Sequence, residues 1–222
     1  MLELDTKRKE RLIDLLLLLA ISSFLSMITA VYSFISKANI IQYTNIDFAV
    51  RIYYSLLSIG VFFYILKKQN RNISEFGISF KVKDILHSIL LIIAIFVSYV
   101  IVGLLLRIFL GNINTSSSNF NLIKVNSIWI ILYILIKPWV EELILKGFLI
   151  TEIEFLTKNI YIAVFTSVFI QSVANIFQGG ISVLYLASIL LILSIYFAKT
   201  RRIAPVILAH YLFEFIPMIS KL

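Results

Sequence analysis

The sequence predicts an all-α fold, a polytopic membrane helical bundle of about seven transmembrane helices in a single domain over residues 1–222. Hydrophobic residues make up 60% of the 222 positions and charged residues 14%, whereas soluble domains are about 45–50% apolar and about 25% charged. Seven apolar runs approach the roughly 20 residues that a helix needs to cross the hydrocarbon core. Helices are expected because a chain in lipid must pair its own backbone groups.

The seven apolar runs follow one another along the whole chain. They cover residues 12–36, 48–66, 86–110, 128–150, 160–177, 181–198 and 203–219. The last three are short and closely spaced, so each is expected to be either a full span or a tilted or re-entrant helix.

The first run has two interpretations. The basic residues before it resemble the positive region of a signal peptide, and Ser36-Lys37-Ala38 is an acceptable cleavage site. A signal peptide has an apolar core of about 7–15 residues, however, and residues 12–36 form a longer run. We therefore interpret this segment as a retained membrane anchor.

The distribution of Lys and Arg predicts a cytoplasmic N-terminus, because short cytoplasmic loops carry the excess of these residues. With seven spans, the segments on the same side of the membrane as the N-terminus hold thirteen Lys and Arg residues, namely Lys7, Arg8, Lys9, Arg11, Lys67, Lys68, Arg71, Lys81, Lys83, Lys158, Lys199, Arg201 and Arg202. The other side holds five, namely Lys37, Arg51, Arg107, Lys124 and Lys221. The loop of residues 111–121 and the C-terminus would then lie outside. We expect an integral protein of a bacterial plasma membrane.

Charge and cysteine content exclude several kinds of function. The net charge of +8 is expected from the loop asymmetry and does not indicate nucleic-acid binding. The chain has no cysteine, which excludes disulfides, thiolate zinc sites, a catalytic cysteine and lipid attachment through cysteine. The lipid bilayer is therefore the first expected partner.

The fourth run contains ionisable residues at membrane depth, where each costs about 2.5–3.5 kcal/mol on insertion scales. Glu142 and Lys146 are four residues apart, so they share a helix face and are expected to form an ion pair. Glu141 points about 100° away from that pair and has no obvious local partner. It is either a glutamate near the interface or a base or ligand facing a polar cavity. Pro138 favours the cavity, since proline bends a helix and frees a carbonyl.

Two later runs carry polar pairs at the same spacing. His210 and Glu214 share a face of the last run, where they either satisfy each other or belong to a site. Gln171 and Asn175 share a face of the fifth run, and such amides commonly hold membrane helices together. If these faces converge with Glu141, the bundle encloses a polar site. Glu141 would then deprotonate a water, and His210 and Asn175 would donate to a developing oxyanion.

These residues resemble the motifs of the CAAX protease and bacteriocin-processing enzymes, also called the Abi family, which are multi-span intramembrane endopeptidases. The family pattern is EExxxR on one helix, FxxxH on the next and HxxxN or HxxxD on a later one. Residues 141–146 read EELILK, residues 171–175 read QSVAN, and residues 210–214 read HYLFE. The resemblance covers roughly residues 125–220, the expected catalytic core, and the first motif is the most specific.

The resemblance implies roles for these positions. The first glutamate of the family, here Glu141, activates water, while the histidines and the amide help it or bind a metal. Glu142 with Lys146, together with Glu214 and Gln171, would support the catalytic residues Glu141, His210 and Asn175.

The sequence departs from the family pattern in each motif. Lys146 replaces arginine, Glu214 replaces the usual amide or aspartate, and Asn175 and Gln171 replace the histidine and phenylalanine of the second motif. A two-histidine zinc site cannot form with one histidine missing. Glu141, His210 and Glu214 could supply three ligands, but we expect a metal-free, glutamate-activated water and no cofactor.

Two functions follow from the resemblance. The first is an intramembrane endopeptidase that cuts a peptide or protein near the cytoplasmic side, with a bacteriocin-type leader peptide favoured over a prenylated-type C-terminus. The second is a catalytically inactive family member that acts as a membrane scaffold or bacteriocin-immunity protein, which Asn175 supports. A small transporter fits less well, because the sequence shows no inverted repeat.

Overall fold

Helices account for nearly all of the chain in the computed structural model, which describes residues 2–36, 40–111, 119–122 and 126–219. Helix α1 (Leu2–Leu19), a π-helical turn (Ala20–Phe24) and α2 (Leu25–Ile35) form one continuous rod. Next come α3 (Asn45–Lys68) and α4 (Lys83–Leu110). Helix α5 (Ser127–Glu142), a second π-helical turn (Leu143–Phe148) and α6 (Leu149–Thr157) form another continuous rod. The last three are α7 (Ile160–Ala174), α8 (Gly180–Thr200) and α9 (Ala204–Ile219).

The predicted all-α membrane bundle is confirmed, and each predicted span corresponds to one helical segment, except that the fifth ends as a helix at Ala174 and continues in a short 3₁₀ turn, Ile176–Gln178. Among the described residues, four segments are long and apolar enough to cross a membrane: Asp5–Ile35, Asn45–Lys68, Lys83–Leu110 and Gly180–Thr200. Helix α7 has 15 residues and is therefore only about 22 Å long. The fourth predicted span, by contrast, continues beyond residue 150 to Thr157.

A short pair of parallel strands joins two loops, and the sequence did not predict it. Strand β1 (Ile40–Tyr43) pairs with β2 (Asn119–Leu122), with Ile40 opposite Asn119. The predicted cleavage site lies partly, and the predicted outer loop 111–121 mostly, outside the described residues. Helix α3 begins directly after β1 with a capping box, in which Thr44 and Asp47 bond each other's backbone N–H.

The core consists of two apolar clusters that meet at the centre of the bundle. The first joins α1, α3, α5 and α6 around Phe62, Phe76 and Phe148, all of which are fully buried. The second joins α4 with the four helices α6, α7, α8 and α9, and it includes the fully buried Phe197. Much of α4 is apolar and exposed, as expected for a lipid-facing helix.

A network of ion pairs ties the helices together at the end of the bundle where α1 begins. Arg11 donates two hydrogen bonds to the buried carboxylate of Glu152, at 2.6 and 2.8 Å, and Arg71 donates a third at 2.5 Å. Lys68 contacts Asp14 at 2.7 Å. We call the end of the bundle that holds Arg11, Asp14, Lys68, Arg71 and Glu152 the basic end. Its pairs join residues that are far apart in the sequence.

Our first prediction concerns orientation. Lys81 and Ser127 are exposed residues at opposite ends of the bundle, just before α4 and at the start of α5. In the cysteine-free chain, Lys81→Cys should be protected from an impermeant thiol reagent in intact cells, whereas Ser127→Cys should react, because the basic end is expected to be cytoplasmic. Both variants should react equally after the membrane is permeabilised. Reaction of Lys81→Cys alone in intact cells would reverse the orientation.

Candidate active site

The predicted ion pair between Glu142 and Lys146 is present and is fully buried. Lys146 Nζ lies 2.6 Å from Glu142 Oε2, and both side chains are 0% exposed. The other carboxylate oxygen, Oε1, lies 2.7 Å from His210 Nδ1 on α9. Glu142 therefore forms an ion pair with Lys146 on its own helical rod and joins that rod to α9 through a charged hydrogen bond with His210, the strong kind in a low-dielectric interior.

The local backbone explains how this pair reaches its position. Pro138 lies inside α5 and supplies no N–H, and the helix widens into the π-helical turn Leu143–Phe148 directly after Glu142. Such turns are rare and frequently occur at functional sites. Gly147, within this turn, packs so closely that a Cβ would lie 3.3 Å from the Phe76 carbonyl oxygen.

Gln171 holds Lys146 from the neighbouring helix α7. Its side-chain oxygen accepts a hydrogen bond from Lys146 Nζ at 3.0 Å, and its amide nitrogen donates to Ser167 Oγ at 3.1 Å. Ser167 in turn donates to the Leu145 carbonyl in the π-helical turn. The amide of Gln171 is thus a buried hydrogen-bond partner of the Lys146 ammonium group. This contact is compatible with the supporting role predicted for Gln171.

Glu141 differs from Glu142 because it can meet water. Its side chain is 32% exposed and lines two adjoining cavities. Its partners are Lys137 Nζ and His210 Nε2, each 3.8 Å from Oε2. The expectation that Glu141 has no local partner is therefore wrong. Lys137 is a site residue that was not predicted, although its position four residues before Glu141 on the same helix was a usable signal.

His210 and Glu214 meet at the same point, as their spacing predicts. His210 Nε2 lies 3.3 Å from Glu214 Oε1, and that oxygen also accepts a hydrogen bond from Lys137. The second oxygen of Glu214 is buried and has no hydrogen-bond partner among residues with described side chains.

Charge balance explains why so many ionisable groups can share this position in a membrane. Three carboxylates, those of Glu141, Glu142 and Glu214, face the ammonium groups of Lys137 and Lys146 and one imidazole, that of His210. A protonated imidazole makes the cluster neutral. Neutral, mutually bonded groups are the arrangement in which burial of charge costs least.

Asn175 lies at the C-terminal cap of α7 and lines the same cavities as Glu141. Its amide nitrogen donates to the Gln171 carbonyl at 2.9 Å, and its oxygen accepts from Gln178 at 3.0 Å. The amide nitrogen has a second N–H, which could donate to an oxyanion while the bond to Gln171 is kept. Its predicted catalytic role stays a prediction.

The site opens into two adjoining cavities of about 230 and about 480 Å³. The larger lies within the roughly 300–1,000 Å³ range of small-ligand pockets. The cavities share Ser22, Ser26, Lys137, Glu141, Ala174, Asn175 and Gln178. Ser22 belongs to the first π-helical turn, so both such turns border the site.

The larger cavity leads away from the basic end. Its wall includes Tyr43, at the end of β1, and Asp47, in the first turn of α3, whereas Lys68 at the other end of α3 belongs to the basic end. With the N-terminus in the cytoplasm, this cavity lies in the outer half of the bundle. Cleavage near the cytoplasmic side therefore stays a prediction, since it depends on the orientation of the chain.

The acidic groups at this position contact a lysine. Within the part of the chain that the structure describes, no group of three or more His, Asp or Glu side chains is arranged to hold one. The ammonium group of Lys137 contacts both Glu141 and Glu214. Lys137 thus supplies positive charge beside both carboxylates.

Comparison with known proteins gives one match. The model of a family described as Rce1-like, type II CAAX prenyl endopeptidase, matches residues 124–216. This region contains Lys137, both adjacent glutamates, Lys146 and His210. No curated protein and no solved structure matches the chain.

Proposed function

We propose that this integral membrane protein, of which residues 124–216 match the model of the Rce1-like family of type II CAAX prenyl endopeptidases, hydrolyses a peptide bond with a water activated by Glu141. One observation carries the proposal. Of the two adjacent glutamates, Glu142 is fully buried and paired, whereas Glu141 is partly exposed in a polar cavity inside the bundle. A general base must reach the water that it deprotonates.

The proposed reaction is a simple hydrolysis. Glu141 takes a proton from water, and the oxygen bonds to the carbonyl carbon while the C=O electron pair moves to the oxygen. The C=O bond then re-forms, the C–N bond breaks, and the proton on Glu141 passes to the leaving nitrogen. The products are a new carboxylic acid and a new amine, and the acid then passes its remaining proton to the amine or to water.

The surrounding residues have separate proposed roles. His210 directs Nε2 toward Glu141 and Glu214, so its N–H can turn to the oxyanion that forms. Lys137 adds positive charge beside Glu141, and Asn175 is a second candidate donor. Glu142 and Lys146 hold the imidazole and the helix turn in place.

The proposed substrate is a peptide or protein segment that reaches the cavity from the bilayer or its surface. A bacteriocin-type leader peptide and a prenylated-type C-terminus both fit this description. The polar wall of the larger cavity provides room for an extended chain beside Glu141. The proposed mechanism requires no metal.

Our second prediction tests both the reaction and its independence of metal. Purified protein in nanodiscs should cleave members of a peptide library and place ¹⁸O from labelled water in the new carboxyl group. Cleavage should persist after treatment with 1,10-phenanthroline or EDTA, because Lys137 supplies the positive charge at the site. Mass spectrometry measures both results. Loss of activity on chelation, with recovery on added zinc, would contradict the metal-free mechanism.

A non-catalytic family member is the second candidate function. Asn175 stands where the family pattern has histidine, and both ends of its amide are already bonded within the chain. A scaffold or immunity protein would keep such a cluster only to join its helices. Its cellular role would then survive the loss of the Glu141 carboxylate.

A further inference from the structure

Helices α4 and α8 run antiparallel to each other and meet along a seam at the surface of the bundle. Two side-chain contacts fix the register of the two helices. Near the basic end, His87 Nδ1 lies 2.8 Å from the hydroxyl oxygen of Tyr196. About three turns farther along α4, the ring of Tyr99 stacks on that of Tyr185 with 4.5 Å between ring centres. Lys83, one turn before His87, therefore lies beside the last turn of α8.

The last turn of α8 lies at the level of the lipid headgroups. The helix has 21 residues and is therefore about 31 Å long, which matches a hydrocarbon core of about 30 Å. Lys199 and Thr200 in this turn are exposed, as is Lys83 in the first turn of α4. With the N-terminus in the cytoplasm, both lysines face the leaflet whose anionic lipids give it a negative surface potential.

Cations outnumber carboxylates at this end of the seam. Asp84 is the one acidic residue in the two helix ends that form it, and its buried carboxylate is already occupied. Arg202 contacts Oδ1, and the backbone nitrogen of Lys81 donates to Oδ2 at 2.7 Å. Lys83 and Lys199 have no carboxylate partner among the described residues. Their charges are therefore available to an anion from outside the chain.

Helix geometry places both lysines and a row of apolar side chains on the same side of the seam. A helix turns by about 100° per residue, and the positions are counted from the contact between His87 and Tyr196. The residues on this side are Lys83, Leu90, Ile93, Leu191, Ile195 and Lys199. The four apolar ones are between 39% and 55% exposed, whereas the buried Leu91 and Leu193 lie on the other side. Two cations thus stand at the headgroup end of an exposed apolar surface.

We propose that this side of the seam binds an anionic phospholipid, with its phosphate between Lys83 and Lys199 and its acyl chains along the apolar row. Basic sites between transmembrane helices on the cytoplasmic side bind anionic headgroups. His87 and Tyr196, one turn deeper, add polar atoms beside the glycerol of such a lipid. The inference is independent of the proposed peptidase function, because the seam and the two cavities share none of these residues.

Native mass spectrometry of the delipidated protein measures this selectivity. Phosphatidylglycerol and phosphatidylcholine with identical acyl chains are titrated into the protein in detergent. The first phosphatidylglycerol should bind about 30-fold more tightly, because each of the two lysines contributes about 1 kcal/mol beside an anionic headgroup and 1.4 kcal/mol is a factor of about ten. Equal affinities for the two lipids overturn the proposal.

Paired variants connect this preference to the seam. Lys83→Gln combined with Lys199→Gln should remove most of the preference, whereas Lys83→Arg combined with Lys199→Arg should keep it, because arginine also binds phosphate. Lys7→Gln combined with Lys9→Gln removes the same charge from exposed residues of α1 and is the matched control, which should keep most of it. The proposal is wrong if the control pair lowers the preference equally, or if the seam pair leaves it unchanged in protein of unaltered melting temperature.

Photolabelling locates the lipid and separates it from a free anion. A phosphatidylglycerol with a diazirine at the start of one acyl chain should label residues 83–93 of α4 or 191–200 of α8, as peptide mass spectrometry measures. A large excess of inorganic phosphate should leave this labelling unchanged, since phosphate has no apolar surface to bury. Labelling confined to other helices, or displacement of the lipid by phosphate alone, overturns the proposal.

Discussion

Glu141→Gln should abolish peptide cleavage, with a loss of at least about 10³-fold, while the protein stays folded. A general base contributes about 10²–10⁴-fold to a rate, and glutamine is nearly isosteric but cannot accept the proton. The side chain is partly exposed and contacts Lys137 only at 3.8 Å, so its charge contributes little to the fold. Cleavage of the peptide library at matched membrane expression measures the loss.

A matched control separates catalysis from general damage. Glu154 is a similarly exposed glutamate that pairs with Arg201 outside both cavities. Glu154→Gln should retain activity and give a similar melting temperature. Complementation of a deletion strain by Glu141→Gln at wild-type level would reject the enzyme and favour the scaffold or immunity function.

Lys146→Ala should destabilise the protein far more than Glu141→Gln, by about 3–5 kcal/mol, because it leaves the carboxylate of Glu142 buried without its cation. Gln171 would lose its partner as well. Lys146→Arg keeps the charge and should be tolerated. Yield of folded protein and melting temperature in detergent measure the effect.

A double variant tests the cause of this loss. Glu142→Gln combined with Lys146→Met removes both charges and should recover part of the stability lost in Lys146→Ala, because no unpaired charge stays buried. The recovery should be incomplete, since Glu142 also contacts His210. Unchanged folded yield and melting temperature in Lys146→Ala would show that the pair carries none of the assigned energy.

Features that depend on neighbouring residues could be predicted from the sequence. The helical segments follow from apolar runs of spanning length, and the pairing of Glu142 with Lys146 follows from helical spacing. The same spacing relates Lys137 to Glu141, so this contact was also within reach of the sequence. All of these pairs lie on one helix, where the backbone alone sets which side chains are neighbours.

Contacts between distant segments could not be predicted in this way. Glu152 binds Arg11, which is 141 residues earlier, and Lys137 binds Glu214, which is 77 residues later. Hydropathy and spacing identify the face of a helix but not the helix that it meets. The strand pair β1 and β2 was not predicted for the same reason, because its partners are separated by two helices.

The sequence by itself determined that this chain is a helical membrane protein and which side chains are too costly to bury without partners. Only the tertiary structure decided which partners offset the free-energy cost of burying these side chains. It divides two adjacent glutamates into a buried, paired Glu142 and a cavity-facing Glu141, and it places Lys137 between Glu141 and Glu214. The physical reason is that charges in a low-dielectric interior are stabilised by groups within a few ångströms, and helix packing chooses those groups.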